Sequence, residues 1–148
     1  MRARISSTTY AQLSGNTIYI NPTVVDRLHE NPFKLAVRKF PVDMNFGRLT
    51  STSVTIDIPE GWEIKEVPPD RNTGVGLDDA NYTRTVTVNG RTVHVIKELR
   101  ISRIEFPQKS YERLRSFYGQ MVNWESEQIV LQKIPAKAPA KTPAGKKR

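Results

Sequence analysis

The chain has no cysteine, only two histidines and no long apolar run, and each shortage removes a class of function. Without a thiol there can be no disulfide, no thiolate zinc site and no cysteine nucleophile within these 148 residues. A reducing cytosol and an oxidising space where no bridge is required both fit that absence. The apolar runs are a few residues long, against the roughly 20 that span a bilayer. Met1-Arg2-Ala3-Arg4 leads directly into polar Ser6-Ser7-Thr8-Thr9, so neither a signal peptide nor membrane insertion is expected in this chain. Met1 stands just before a strand pattern, and a fragment boundary there leaves the compartment open. Acidic residues also run out: none follows Glu127, while Lys137, Lys141, Lys146, Lys147 and Arg148 do. Of the formal charge of +8, those five leave +3 on residues 1–133, too little for a nucleic-acid footprint on the folded body.

What is present suits one soluble β domain. Hydrophobic residues make up 37% and charged residues 26%, an ordinary balance for a chain that buries a single core. Around Gly15-Asn16, the residues Tyr10, Leu13, Ile18 and Ile20 alternate as two short paired strands. Asn21-Pro22 offers an N-cap and a first-turn proline, and Val24, Val25 and Leu28 give one apolar face, so a short helix is expected before Asn31-Pro32. Leu35–Phe40 and Ser53–Ile58 have strand character, Pro59-Glu60-Gly61 turns the chain, and Trp62–Val67 resumes the alternation. Residues 68–81 read as a long exposed loop. Asn89-Gly90 between Tyr82–Val88 and Arg91–Phe106 predicts a long hairpin in which Val86 faces Val93 and Thr87 faces Thr92. Leu114, Phe117, Met121 and Trp124 recur at helical spacing and predict an amphipathic helix over 109–128, packed on the sheet. Residues 134–148, rich in Pro, Ala and Lys, cannot offset the entropy of ordering and are expected to be a disordered basic tail. The expected fold is a single antiparallel, immunoglobulin-like β sandwich over 1–133 with a short early helix and one late helix.

Several short motifs, taken in order, resemble a known family. Asn31-Pro32-Phe33, Arg38 with Pro41-Val42-Asp43, Ile58-Pro59-Glu60-Gly61-Trp62, Leu99-Arg100-Ile101-Ser102-Arg103, Tyr111-Glu112-Arg113-Leu114-Arg115 and Val130-Leu131-Gln132-Lys133 follow one another along about residues 12–133. The pattern resembles the C-terminal domain of bacterial transglutaminase-like proteins. There a β domain of unknown function follows a papain-like catalytic core. The resemblance implies a non-catalytic accessory domain that positions the catalytic core or recruits partners, a catalytic partner in the same polypeptide and a periplasmic or cell-envelope location. It carries over no catalytic residue, because the Cys-His-Asp machinery of such a core would have to lie outside this chain.

The remaining candidates are modest. His94, expected opposite Thr85, reads as a satisfied strand residue, and His29 has no ligand cluster beside it. Asp78, Asp79 and Asn81 bring oxygen ligands together without calcium-loop spacing, so a solvated loop is the simpler reading and no metal or cofactor is expected. Gly74-Val75-Gly76 lacks the third glycine and the strand-to-helix setting of a dinucleotide site. Asp43 fits a turn hydrogen bond better than a functional acid, and Glu98 and Glu105 with Arg100 and Arg103 fit a charge ladder. Asn81-Tyr82-Thr83 fits the glycosylation pattern, which a bacterial origin would make irrelevant. Trp62 and Tyr82, with Asp78 and Asp79, form the candidate ligand or partner surface, a stacking platform for a sugar or peptide, although both rings also suit core packing. A carbohydrate- or peptide-binding module is thus the alternative function, with weak nucleic-acid binding by the tail behind it.

Overall fold

The computed structural model describes residues 11–135; Tyr10 and the basic stretch from residue 136 lie outside the described residues. Among the described residues, ten strands and one α-helix form a mainly β, sandwich-like fold of antiparallel sheets. The first sheet is ordered β1 (Ala11–Ser14), β2 (Thr17–Ile20), β10 (Ile129–Lys133) and β5 (Trp62–Glu66). The second is ordered β4 (Arg48–Asp57), β8 (Thr92–Ile101), β7 (Ala80–Asn89) and β6 (Arg71–Val75). A short ribbon pairs β3 (Val42–Asp43) with β9 (Glu105–Phe106), and a 3-10 turn at Gln108–Ser110 leads into α1 (Tyr111–Glu125).

The long hairpin forms, with a different register from the one expected. Asn89 pairs with Thr92, so Val86 faces Val95, Val88 faces Val93, and Thr87 faces His94. The turn residues are therefore Gly90 and Arg91. Gly90 has φ +58° and no positive φ falls at Arg91, the pattern of a turn with glycine at its first central position. His94 accordingly sits opposite Thr87 and Thr55, not Thr85.

Three other expectations are corrected. Residues 68–81 are not one open loop, because β6 pairs along its whole length with β7. No apolar alternation marks it, since Arg71 and Thr73 face inward, Asn72 and Gly74 outward, and only Val75 is a large apolar residue. The expected early helix is absent: residues 21–41 run without helix or strand. The Asn21 side chain does accept from the Thr23 N–H at 2.7 Å, as a cap would, but Asp26 then turns to φ +52° and ends any helical path. Leu35–Phe40, expected as a strand, belongs to the same irregular connection. That segment is tied to α1 by side chains instead. Asn31 Nδ2 donates to the Arg115 carbonyl at 2.7 Å, Arg115 Nε to the Phe33 carbonyl at 3.2 Å, and the Tyr111 hydroxyl to the Leu35 carbonyl at 2.7 Å.

The second sheet is long enough to carry two cores on one face. Its hairpin end packs on the first sheet through Ile20, Ile58, Val93, Val95, Ile129 and Leu131. Its other end is covered by α1, where Tyr82, Ile101, Phe106, Leu114, Phe117 and Met121 are buried. The expected helical stripe is thus the buried one, with Trp124 partly covered at its margin. Full burial of each such large side chain contributes about 1.5–3 kcal/mol.

Candidate functional site

Between the two cores lies a row of cations. On the inward face of the second sheet Arg71 pairs with Arg84, and Arg84 with Lys97, across three adjacent strands. Like charges in directly opposed positions repel. Two glutamates from the end of α1 and the residues after it neutralise the row. Lys97 Nζ donates to Glu125 Oε1 at 3.1 Å and to the carbonyls of Val25 at 3.3 Å and Asp26 at 3.0 Å, which uses all three of its protons. The Glu125 carboxylate also accepts the Leu28 N–H, and its carbonyl accepts from Asn21 Nδ2 at 2.9 Å. Arg84 pairs with Glu127 and donates to the carbonyls of Trp124 and, at 3.0 Å, Pro69; Arg71 pairs with the other oxygen of Glu127 and lies 5.2 Å over the Trp124 ring. Partial burial raises the Glu127 pKa, but hydrogen bonds and charge from Arg71 and Arg84 outweigh it and hold the carboxyl below its usual range.

Each charged side chain of the row thus has an ion-pair partner from Glu125 or Glu127. Arg84 and Lys97 escaped sequence reading because charged residues default to solvent. The available signal was parity: Arg84 shares the inward face with Tyr82 and Val86, Lys97 with Val95 and Leu99, and Glu125 lies four residues after Met121 on the buried helical stripe. Below the row the Tyr82 hydroxyl is fully buried without a hydrogen-bond partner, and burial, then the nearby Glu125 charge, pushes its pKa up.

The residues expected to form a binding surface do not converge. Tyr82 is 0% exposed and stacks on Trp124 at 6.2 Å between centroids, so it leaves the candidate surface. Trp62 belongs to the other core and borders an apolar cleft of about 500 Å³ with Ile58, Ile64, Val88 and Arg91. Asp78 and Asp79 occupy the turn between β6 and β7. They separate toward different arginines, Asp78 to Arg100 at 3.9 Å and Asp79 to Arg103 at 3.2 Å. Among the described residues no cluster of His, Asp and Glu has metal-ligand geometry. Asp43 has the turn role, its carboxylate accepting the Asn45 N–H at 2.7 Å. His94 Nδ1 is 3.1 Å from Thr55 Oγ1. The Arg100–Glu98 pair is at 3.8 Å, while Arg103 bonds the Glu105 carbonyl, not its carboxylate.

Two further surfaces are open among the described residues. The first is the segment 35–49, where Leu35, Val37, Phe40, Phe46 and Leu49 are each more than 60% exposed. The second is a groove of about 660 Å³ between the outer edge of β6 and α1. Thr73–Leu77 form one wall, Glu112, Arg113, Ser116 and Gln120 the other, and Phe117 reaches between them. Sequence reading missed the groove because it missed β6. No helix among the described residues is long and apolar enough to cross a membrane.

This architecture has a solved counterpart. The crystal structure of a "putative protease" from Parabacteroides distasonis ATCC 8503 superposes with a TM-score of 0.55 at 16% identity over 66% of this chain. The matched region is 19% of that protein, so the chain spans about a fifth of its length. No curated protein sequence matches. The family of a domain of unknown function with a solved structure, DUF3858, matches residues 16–131, nearly the whole described fold. The chain belongs to the DUF3858 family.

Proposed function

We propose that the chain is a non-catalytic accessory domain that docks on, and positions, a transglutaminase-like core of papain type in the same polypeptide. The observation that carries this reading is the apolar segment 35–49. Five large apolar side chains within that span face solvent, although the domain buries two complete cores. Such a concentration on a small domain marks a contact surface. The start of that segment is tied to α1, where the Leu35 carbonyl accepts from the Tyr111 hydroxyl.

Two further facts support the reading. The buried Arg84, Lys97 and Glu125 each have an ion-pair partner, and the chain has no thiol, so a thiolate reaction needs residues from elsewhere. The similar solved structure is about five times longer than the matched region and is named a "putative protease"; a papain-like core would use the same thiolate chemistry on amides in hydrolysis and in acyl transfer. A periplasmic or envelope location goes with this reading. The decisive check is the reading frame around the gene segment: a Cys-His-Asp core beside this domain is expected, and an unrelated or absent neighbour overturns the proposal. In the full polypeptide, Val37→Asp with Phe40→Asp should free the domain from its neighbour, seen as faster proteolysis between them. Alone, the domain should not turn over glutamine peptides or protease substrates.

A further inference from the structure

We propose that the groove between β6 and α1 binds an extended, uncharged peptide segment, which adds a strand to the second sheet. β6 pairs with β7 on one side only, and among the described residues its other edge carries no strand. An unpaired edge presents main-chain donors and acceptors at strand spacing, and a helix alongside converts that edge into a slot. One wall is the strand edge Thr73–Val75, roughly 7 Å at the rise of a strand, continued by Gly76 and Leu77 of the following turn; the other, Glu112 to Gln120, spans roughly 12 Å at the rise of a helix. Thr73 Oγ1 donates to Gln120 Oε1 at 2.7 Å and so ties the two walls together at Thr73.

The lining selects the occupant. Val75 and Phe117 are buried apolar side chains under the groove, and Leu77 is fully exposed at its rim, which suits apolar side chains at alternate positions of a bound strand. Glu112 and Arg113 are the only charged side chains of the lining, one of each sign, and among the described residues neither has an ion-pair partner. A lining of zero net charge gives a polyanion or a strongly charged peptide no advantage, so the fitting partner is a neutral segment. The groove is distinct from the apolar segment 35–49, and the inference stands whether or not that segment docks a catalytic core.

The test is selection from a displayed library of random heptapeptides against the full chain, followed by anisotropy with the enriched peptides made synthetically. Neutral peptides with alternating apolar residues should be enriched. N-methylation of the peptide at every second residue should weaken binding at least tenfold in one phase and leave it within twofold in the other, because only one phase faces β6. Ser116→Trp, an exposed substitution that fills the groove, should weaken binding at least tenfold with the thermal midpoint retained, whereas Phe40→Asp should leave it unchanged. Affinity should be nearly insensitive to salt. No enrichment, equal loss in both methylation phases, or peptides that bind Ser116→Trp as well as the parent would overturn the proposal. Binding lost with Phe40→Asp but not with Ser116→Trp would place the peptide on the other surface and equally refute it.

Discussion

The two ends of the second sheet's inner face are covered by different materials. Under α1 the filling is aromatic, with Phe33, Tyr111, Phe117 and Tyr118 in edge-on contacts at 5.1–5.9 Å. Under the first sheet it is aliphatic, built on Ile20, Val93, Val95, Ile129 and Leu131. A helix and an irregular strap leave a wide, uneven gap that rings fill, whereas two stacked sheets leave an even layer that β-branched side chains fill. The row of Arg71, Arg84 and Lys97 stands where one covering gives way to the other. Neither core continues through it, so Glu125 and Glu127, at the passage from helix to last strand, join the halves.

The comparison breaks most sharply at Glu125. Glu125→Ala should destabilise the domain by about 3–5 kcal/mol, since it strands a buried Lys97 charge and unpairs the Leu28 N–H. A urea titration showing a loss under 1 kcal/mol would mean that Lys97 reaches water. The two cores come next. Phe117→Ala should cost about 3–5 kcal/mol and Leu131→Ala about 2–5 kcal/mol, each in a single transition. If the row separates the cores instead of coupling them, hydrogen exchange in Leu131→Ala would leave α1 amides protected while the first sheet opens.

A smaller effect of opposite sign is expected at Tyr82. Its buried, unpartnered hydroxyl makes Tyr82→Phe stabilising by about 1 kcal/mol. The same site sets an alkaline limit. The phenol's pKa is raised in the fold above its ordinary 10.0, so its contribution is fully present below pH 10 and falls above it, as the unfolded chain releases a proton that the folded chain keeps. Loss of at most about 1.4 kcal/mol per pH unit from this group should disappear in Tyr82→Phe. The smallest effect concerns Glu127, whose pKa is lowered: its contribution is present above its ordinary 4.5 and lost as pH falls through the folded value. Glu127→Gln should therefore flatten the acid limb of a stability profile, and an unchanged limb would place the acid sensitivity elsewhere.

Much of this was legible in the sequence where one property repeats. The stripe Leu114, Phe117, Met121 and the alternating hairpin around Gly90 depend on neighbours in the chain, and both formed. The hairpin register shifted because Gly90, which supplies the positive φ, suits either central position of a two-residue turn, and it stands at the first. β6 had no apolar alternation to reveal it, and the strap after Asn21 takes its shape from Lys97, Glu125 and Arg115, residues far away in sequence. The groove inherits both difficulties, since one wall is the strand that periodicity did not mark. Trp62 and Tyr82 looked like partners because aromatic residues suit either a surface or a core, and only the pairing of β5 into the first sheet and β7 into the second assigns them to separate cores.

The position of β10 has a consequence for synthesis. It lies between β2 and β5, so the first sheet is joined at its centre by the last strand of the described fold. On a ribosome, the hairpin β1–β2 and the strand β5 would emerge with no partner to unite them until Lys133 had cleared the exit tunnel, while the long antiparallel hairpin of the second sheet could already be closed. Chaperones would thus meet a nascent chain with one sheet made and the other waiting, its isoleucines uncovered for the time needed to translate α1 and the strand after it.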